Sequence, residues 1–428
     1  MTATLNEVFD LFGYKKQEQQ SALIKLAAYR GCFGEKNSVG ENYSDKVISN
    51  LEASVLLSKT FVTIQEGIAW WHEVTQKNWL RPSFNKEGFG KGKDPVINVE
   101  RHHLTDAKQS SEDANQLFHC FKTLGLLDTT PFPDEKVNHV VIHGGIEKYA
   151  SERIHFIPDF SGQIVYVTNP RGLFNDEPSL APILASWFNK PESEKLIQAV
   201  LDEHKDMKKS DKHWLKDLEG LKKEILKKIG ESNWPTGKGW YYKNPKPYED
   251  AAQSERRQSP AGWPTAADMV DYLLQQRAKK ENKFKHLEFI PIYSVRPGRV
   301  ANTEDNIEDW YATLGKHLPI DSKAIFVSNN SLQLHYIGYQ DVILKDALHK
   351  MGNIPGKNCC EVMTVGPGSN QTSLSYGTDA LARTFFMKRS RVLKELSQPT
   401  HHYTSSLWTQ SSTKLNVFDQ TTNKVLSP

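Results

Sequence analysis

The sequence lacks several features that would decide its function at once. Cysteine occurs four times in 428 residues, as Cys32, Cys120 and the adjacent pair Cys359 and Cys360. No Cys-x-x-Cys is present, which argues against a zinc ribbon or a thioredoxin-type site. The expectation is buried free thiols in a reducing compartment. No run of 18 apolar residues occurs, so no segment is expected to span a membrane. The opening Met-Thr-Ala-Thr-Leu-Asn-Glu has no basic stretch followed by an apolar one, so no secretory signal is expected. A cytoplasmic location follows, with delivery by a specialised secretion system left open because it leaves no signal of this kind.

Charge of one sign is lacking as well. Fifty-four Lys and Arg against 51 Asp and Glu leave a formal net charge of +3, too little to argue for nucleic acid. A complete phosphate loop is also missing. Gly92-Lys93 is followed by Asp94 where Ser or Thr is needed, and Glu87 stands where the first glycine belongs, so residues 87–94 read as an ordinary loop. His102, His103 and Asp106 have no further ligand at usable spacing and read as a surface cluster, not a metal site.

Hydrophobic residues make up 38 % and charged residues 25 %, the balance of a globular chain long enough for about two domains. The organising stretch is Val137–Gly145. Val137, Val140, Val141 and Ile142 give the β-branched run of a strand covered on both faces. Gly144 and Gly145 follow at its carboxyl end, which in open α/β sheets faces the ligand crevice.

Residues 1–130 read as a helical region. Thr4 and Glu7 have capping-box spacing. Leu23, Ile24, Leu26 and Ala27 suggest a helix over 17–30. Residues 44–76 read as one long helix, with Val47, Leu51, Val55, Ser58 and Val62 on one side and Gly67 as a break or kink. A further helix is expected from Ser110 or Ser111, burying Leu117, Phe121 and Leu124 and ending at Gly125.

An α/β series fills 131–396. Strands are expected near 138–143, 163–168, 287–293, 324–328 and 361–365. Right-handed crossovers give the order 3-2-1-4-5. A short helix over 146–156 carries Arg153. Thr265 is a natural N-cap for a helix that turns Met269, Leu273 and Tyr272 to the sheet. Later helices are expected through Trp310 and Leu314, over 332–349 and over 378–396. Residues 176–260 interrupt the series as a helical insertion, with apolar patches at Leu196, Ile197, Val200 and Leu201 and at Trp214, Leu218, Leu221, Ile225 and Ile229. Residues 397–428, rich in Ser, Thr, Gln and Asn, read as a mobile tail.

Several stretches, taken in order, resemble the YdcF/SanA/ElyC-like family. Val140-Val-Ile-His-Gly-Gly145 resembles its first strand and glycine pair, and Arg153 stands where the family has an arginine before strand two. Val165-Tyr-Val-Thr-Asn169 stands at a strand that ends Ser-Gly-Gly in the family; the glycines are absent here. The start of the helix at Thr265 is similar to the Ser/Thr-Glu-Ala-Glu-x-Met pattern, with Ala266 in place of the first glutamate. Asn302-Thr-Glu-Asp-Asn306 is similar to Asn-Thr-x-Glu-Asn, with Asp305 for the glutamate. Ile325-Phe-Val-Ser-Asn329 resembles the strand before a His and an Arg, whose places Leu332 and His335 take. The resemblance covers roughly 137–175 and 262–395. It implies a three-layer, Rossmann-like, mainly parallel five-stranded sheet with its ligand at the carboxyl edge. Some relatives bind S-adenosylmethionine and others are linked to bacterial envelope metabolism.

The candidate site gathers the polar strand ends. Backbone amides at Gly144, Gly145 and the Thr265 helix start could hold phosphate or carboxylate. Arg153 or Arg171 supplies positive charge. Thr168, Asn169, Asn302, Thr303, Asn306, Ser328 and Asn329 offer neutral hydrogen bonds. His143 is the candidate general acid or base, with Asp268 and Asp305 the nearest carboxylates. The first reading is a site for a nucleotide-type or S-adenosylmethionine-type small molecule, with any reaction undefined. The alternative is a protein-interaction module that meets a partner through the N-terminal helices or the insertion. Nucleic-acid binding through Trp234, Lys238, Trp240 and Lys243 fits the near-neutral charge poorly.

Overall fold

The computed structural model describes residues 2–33, 47–79, 110–134, 136–160, 162–168, 171–205, 214–235, 262–282, 284, 287–296, 301–329, 339–368, 374–397, 418–419 and 424–425. The chain divides into two compact units. One comprises Met1–Pro131, Asn329–Gly352 and Val365–Pro428; the other comprises Phe132–Ser328 and Asn353–Thr364. Among the described residues no helix is long and apolar enough to cross a membrane.

The first unit opens with β1 (Ala3–Thr4) and α1 (Leu5–Leu11), and the capping box between Thr4 and Glu7 is formed. Next come α2 (Gln17–Tyr29), α3 (Asn50–Leu57), β2 (Thr60–Phe61), α4 (Ile64–Trp79) and α5 (Ser111–Thr123). The expected long helix over 44–76 is therefore two helices. Ser49 and Glu52 form a capping box that starts α3. Thr63 Oγ1 accepts the Glu66 N–H and Glu66 accepts the Val62 N–H, which starts α4 afresh. Between them β2 pairs antiparallel with β1. The supposed buried stripe is outside: Leu51, Val55 and Val62 are 77 %, 62 % and 72 % exposed. Gly67 does not break α4. It lies inside the helix, where an added Cβ would meet Val8 at 2.7 Å and Phe61 at 2.9 Å. Ser110 caps α5, and Gly125 follows its C-cap in the left-handed region.

The second unit holds the sheet. Its strands are β3 (His139–His143), β4 (Gln163–Thr168), β5 (Glu288–Tyr293), β6 (Lys323–Val327) and β7 (Glu361–Val365). They form a five-stranded parallel sheet in the order β5-β4-β3-β6-β7. This is the expected 3-2-1-4-5 order, and the first strand is central. β3 and β4 are buried almost throughout, as their β-branched composition requires. The connecting helices are α6 (Glu147–Phe156), α7 (Leu180–Trp187), α8 (Glu194–Glu203), α9 (Trp214–Ile229), α10 (Ala266–Glu281) and α11 (Thr303–Thr313). The fold is thus a three-layer α/β architecture with a helical insertion. Within α10 the large apolar residues that are buried are Met269, Val270 and Leu274; Leu273 and Tyr272 are only half-buried, a shift of one position around the helix.

The remaining helices, α12 (Tyr339–Lys350) and α13 (Leu374–Leu396), belong to the first unit. Phe385 of α13 packs edge-on to Trp71 (5.4 Å between ring centres) and to Phe12 (5.0 Å). Trp71 also meets Phe9 at 4.6 Å and Trp79 at 5.5 Å. These rings, with Leu5, Leu23, Leu117 and Leu381, form one hydrophobic core. The C-terminal helix thus completes the helical unit, where the sequence placed it as the closing helix of the sheet. Of the supposed tail, Ser397 and the short pair β8 (Phe418–Asp419) and β9 (Lys424–Val425) are described. Residues 87–94, His102, His103, Asp106, Leu332, His335, Lys238, Trp240 and Lys243 lie outside the described residues.

Candidate functional site at the carboxyl edge of the sheet

Register fixes which side chains share a face. In the parallel ladder Ile142 pairs with Val327, and His143 pairs with Val167, which pairs in turn with Ile292. Side chains alternate along a strand. Ser328, one place beyond Val327, therefore shares the face of His143. Ser294, two places beyond Ile292, continues it, because its N–H extends the ladder to the Thr168 carbonyl at 2.8 Å. α11 covers this face. Trp310 packs edge-on against Phe326 at 4.9 Å and against His139 at 6.3 Å, and Phe326 lies 5.5 Å from His143. Asn306 sits one helical turn before Trp310, toward the carboxyl edge.

Six polar atoms on these residues are buried and have no hydrogen-bond partner among the described residues: His139 Nδ1 and Trp310 Nε1 away from the carboxyl edge, and His143 Nδ1, Ser294 Oγ, Ser328 Oγ and Asn306 Oδ1 toward it. His143 is 7 % exposed, Ser328 1 % and Ser294 0 %. Burial, aided by the Arg153 guanidinium, pushes the His143 imidazole down to about 3, so it is neutral at physiological pH. Buried polar groups are normally partnered. The four orphans toward the edge, from three strand ends and one helix, mark a place where a partner is missing.

The other face carries a closed network. Arg153 Nη1 donates to the carbonyls of His143 (2.6 Å) and Gly144 (3.2 Å). Arg171 grips Glu177 through both terminal nitrogens, at 2.7 and 2.8 Å, and reaches the Gly145 carbonyl at 3.1 Å. Glu177 also accepts the N–H groups of Glu147 (3.0 Å) and Phe174 (2.8 Å). Glu147, in turn, accepts the N–H and hydroxyl of Ser179; burial raises its pKa. Beneath the turn, burial also raises the phenol of Tyr166.

The glycines serve this packing. The Gly144 N–H donates to the Val167 carbonyl at 2.8 Å. A Cβ on Gly144 would lie 2.6 Å from Thr168 Oγ1, and one on Gly145 would lie 3.3 Å from Arg153 Nη1. The space that the sequence assigned to a ligand is, on these sides, filled by protein.

The remaining candidates are helix caps. Thr265 Oγ1 and N–H both donate to Asp268 Oδ2 at 2.7 Å, and the Thr265 hydroxyl lies 3.2 Å from Tyr293 Oη. Asn302 and Asp305 form the capping box of α11, and Thr303 is that helix's first residue. Asp305 also pairs with Arg296 Nε at 2.9 Å. Both candidate carboxylates are thus engaged in capping. Asn169 lies outside the described residues, and Asn329 falls in the other compact unit. All four cysteines are buried free thiols. Burial pushes Cys32 and Cys360 up to about 12 and Cys120 and Cys359 up to about 11, which removes them as nucleophiles.

Sequence reasoning missed Ser294 and Glu177. Ser294 follows a strand directly, as Ser328 does, so the strand-end rule alone would have found it. Glu177 carried no signal, since its partners at 147 and 171 meet it only in the fold. The chain matches no family model, no curated protein and no solved structure.

Proposed function

We propose that the sheet unit binds a small polar molecule of nucleotide or S-adenosylmethionine type at its carboxyl edge, over β3 and β6. The observation that carries this is the set of four orphaned buried atoms, His143 Nδ1, Ser294 Oγ, Ser328 Oγ and Asn306 Oδ1, on one face. The two hydroxyls can donate or accept, the neutral imidazole nitrogen does either according to its tautomer, and Asn306 Oδ1 accepts, all without charge, which suits a ribose, an adenine edge or an amide. The strand order supports the reading. β3 and β6 are neighbours whose next strands, β4 and β7, lie on opposite sides of them, and such switch points in strand order are where α/β sheets hold ligands. Isothermal titration of the whole protein with S-adenosylmethionine and adenine nucleotides tests it. Binding that weakens by about 1 kcal/mol or more in Ser328→Ala or Asn306→Ala supports the site. Binding indifferent to both substitutions refutes it.

A second reading is favoured by Leu51, Val55 and Val62, which are large, apolar and exposed. They suit a protein partner of the N-terminal helices. Loss of a co-purifying chain in Leu51→Glu with Val55→Glu, with small-molecule binding intact, would favour this reading.

A further inference from the structure

The helical unit holds a second group of unpaired polar atoms, where α13 packs on α4. α13 carries three arginines. Two are held by carboxylates: Arg383 Nε lies 3.0 Å from Asp379, and Arg391 Nη2 lies 3.0 Å from Asp346. Arg389 is half-buried, and among the described residues it meets no carboxylate and no hydrogen-bond acceptor; its Nε is fully buried. Burial alone pushes its pKa down. Burial acts on Arg171 and Arg296 as well, but there the neighbouring carboxylates outweigh it and the net shift is upward.

His72 of α4 adds a second unpaired group at the same seam. Its ring stacks on Phe386 of α13, with 5.8 Å between ring centres and 28° between planes. Arg389 stands one helical turn beyond Phe386, on the same side of α13. His72 Nε2 is buried without a partner among the described residues. Burial, aided by the Arg389 charge, pushes the imidazole down to about 4. The ring is therefore neutral at physiological pH, and the tautomer protonated on Nε2 donates there. One turn along α4, Gln76 Nε2 donates to the Ala382 carbonyl at 3.2 Å, which ties the two helices together beside the pair.

The chemistry of these groups defines what would complete them. A guanidinium has donors only, so its partner must accept. A cation drawn partly out of water without a counter-charge costs free energy, and an anion beside it offsets that cost. The planar fork matches two oxygens of one carboxylate or phosphate. We propose that the seam between α4 and α13 binds a small oxyanion, a carboxylate or a phosphate, with Arg389 as its counter-ion and His72 Nε2 as a second donor. This site stands apart from the one at the sheet edge and does not depend on it.

The test is thermal unfolding of the full chain titrated with inorganic phosphate and with acetate, each against chloride at equal ionic strength. At least one of the two should raise Tm saturably, and the one that acts at lower concentration tells phosphate from carboxylate. Arg389→Met should weaken that anion about tenfold or more, the weight of one charged hydrogen bond. Arg389→Lys keeps the charge without the fork and should fall between parent and Arg389→Met. His72→Phe keeps the ring stack and should weaken the anion as well. In chloride alone, Arg389→Met should match or exceed the parental Tm, because it removes a cation that has no counter-charge among the described residues. Stabilisation by neither anion overturns the proposal. Equal stabilisation of parent and Arg389→Met seats the anion elsewhere, the sheet edge included, and overturns it too. A clear fall in the Tm of Arg389→Met in chloride alone would show the guanidinium satisfied within the chain, with the same result. Unchanged affinity in His72→Phe overturns the part given to His72.

Discussion

Ser328 stands beside His143 on the neighbouring strand, one place beyond the Ile142–Val327 pair, and neither Ser328 Oγ nor His143 Nδ1 has a partner among the described residues. An orphaned buried hydroxyl stabilises nothing in the free protein. Ser328→Ala should therefore leave ligand-free stability unchanged or raise it, by up to about 1 kcal/mol, while weakening ligand binding. Urea denaturation with and without ligand separates the two effects. A loss of more than about 1 kcal/mol without ligand would mean that the hydroxyl is satisfied internally.

His143 also sets a pH dependence. Its folded pKa of about 3 lies below the ordinary 6.5, so between those values the unfolded chain binds the extra proton. Its contribution to stability is complete above pH 6.5 and is lost as pH falls from 6.5 toward 3, at up to about 1.4 kcal/mol per pH unit. His143→Gln should flatten the fall in urea stability between pH 6.5 and 4.5. Equal slopes for parent and variant would place the titration elsewhere.

The Arg171–Glu177 pair should show strong coupling. Glu177→Ala strands a buried guanidinium and should cost about 3–5 kcal/mol. Arg171→Met with Glu177→Gln should cost clearly less than the sum of the single changes. A double-mutant cycle by chemical denaturation reads the difference, and additivity would contradict the buried bidentate geometry.

Gly144→Ala separates packing from ligand approach. Its Cβ would fall 2.6 Å from Thr168 Oγ1, so a loss of about 1–3 kcal/mol is expected in the ligand-free protein. Thr168→Ala in the same chain should restore part of it. A variant with parental Tm that no longer binds ligand would instead assign Gly144 to the ligand.

Residues 191–230 should be removable. Lys190 and Glu231 form an ion pair at the two ends of α8 and α9, so a short Gly/Ser bridge can join them. Ile197, Val200 and Leu201 of α8 are buried, as are Leu218, Leu221 and Ile225 of α9, and the two helices pack on each other. A single cooperative thermal transition is expected after deletion. Insoluble expression would show that these helices complete the sheet's own core.

The sheet was legible because composition and chain direction determine it. Val140, Val141 and Ile142, and Ile164 to Val167, are apolar on both faces, and right-handed crossovers leave few orders for five such strands. Over 44–76 the spacing of Leu51, Val55 and Val62 suggests one helix, whereas the local signals at Ser49/Glu52 and Thr63/Glu66 decide the helix starts. Thr265/Asp268 and Asn302/Asp305 were visible as polar clusters, but the sequence could not show that each satisfies its own backbone. The site's charge was invisible for a similar reason. Glu177 becomes an internal counter-ion only when Glu147 and Arg171, 30 and 6 residues away, converge on it.

The contribution of α13 to the helical unit has a consequence for synthesis. The ribosome releases the core partners of Phe385 long before Phe385 itself, since Phe9, Phe12, Trp71 and Trp79 belong to the first 131 residues and Phe385 to the last 64. While Phe132–Ser328 is being translated, those rings wait without the helix that covers them. A nascent chain stalled before residue 374 should therefore recruit holdase chaperones and yield early to protease at its N-terminal helices. Release of the complete chain should end both.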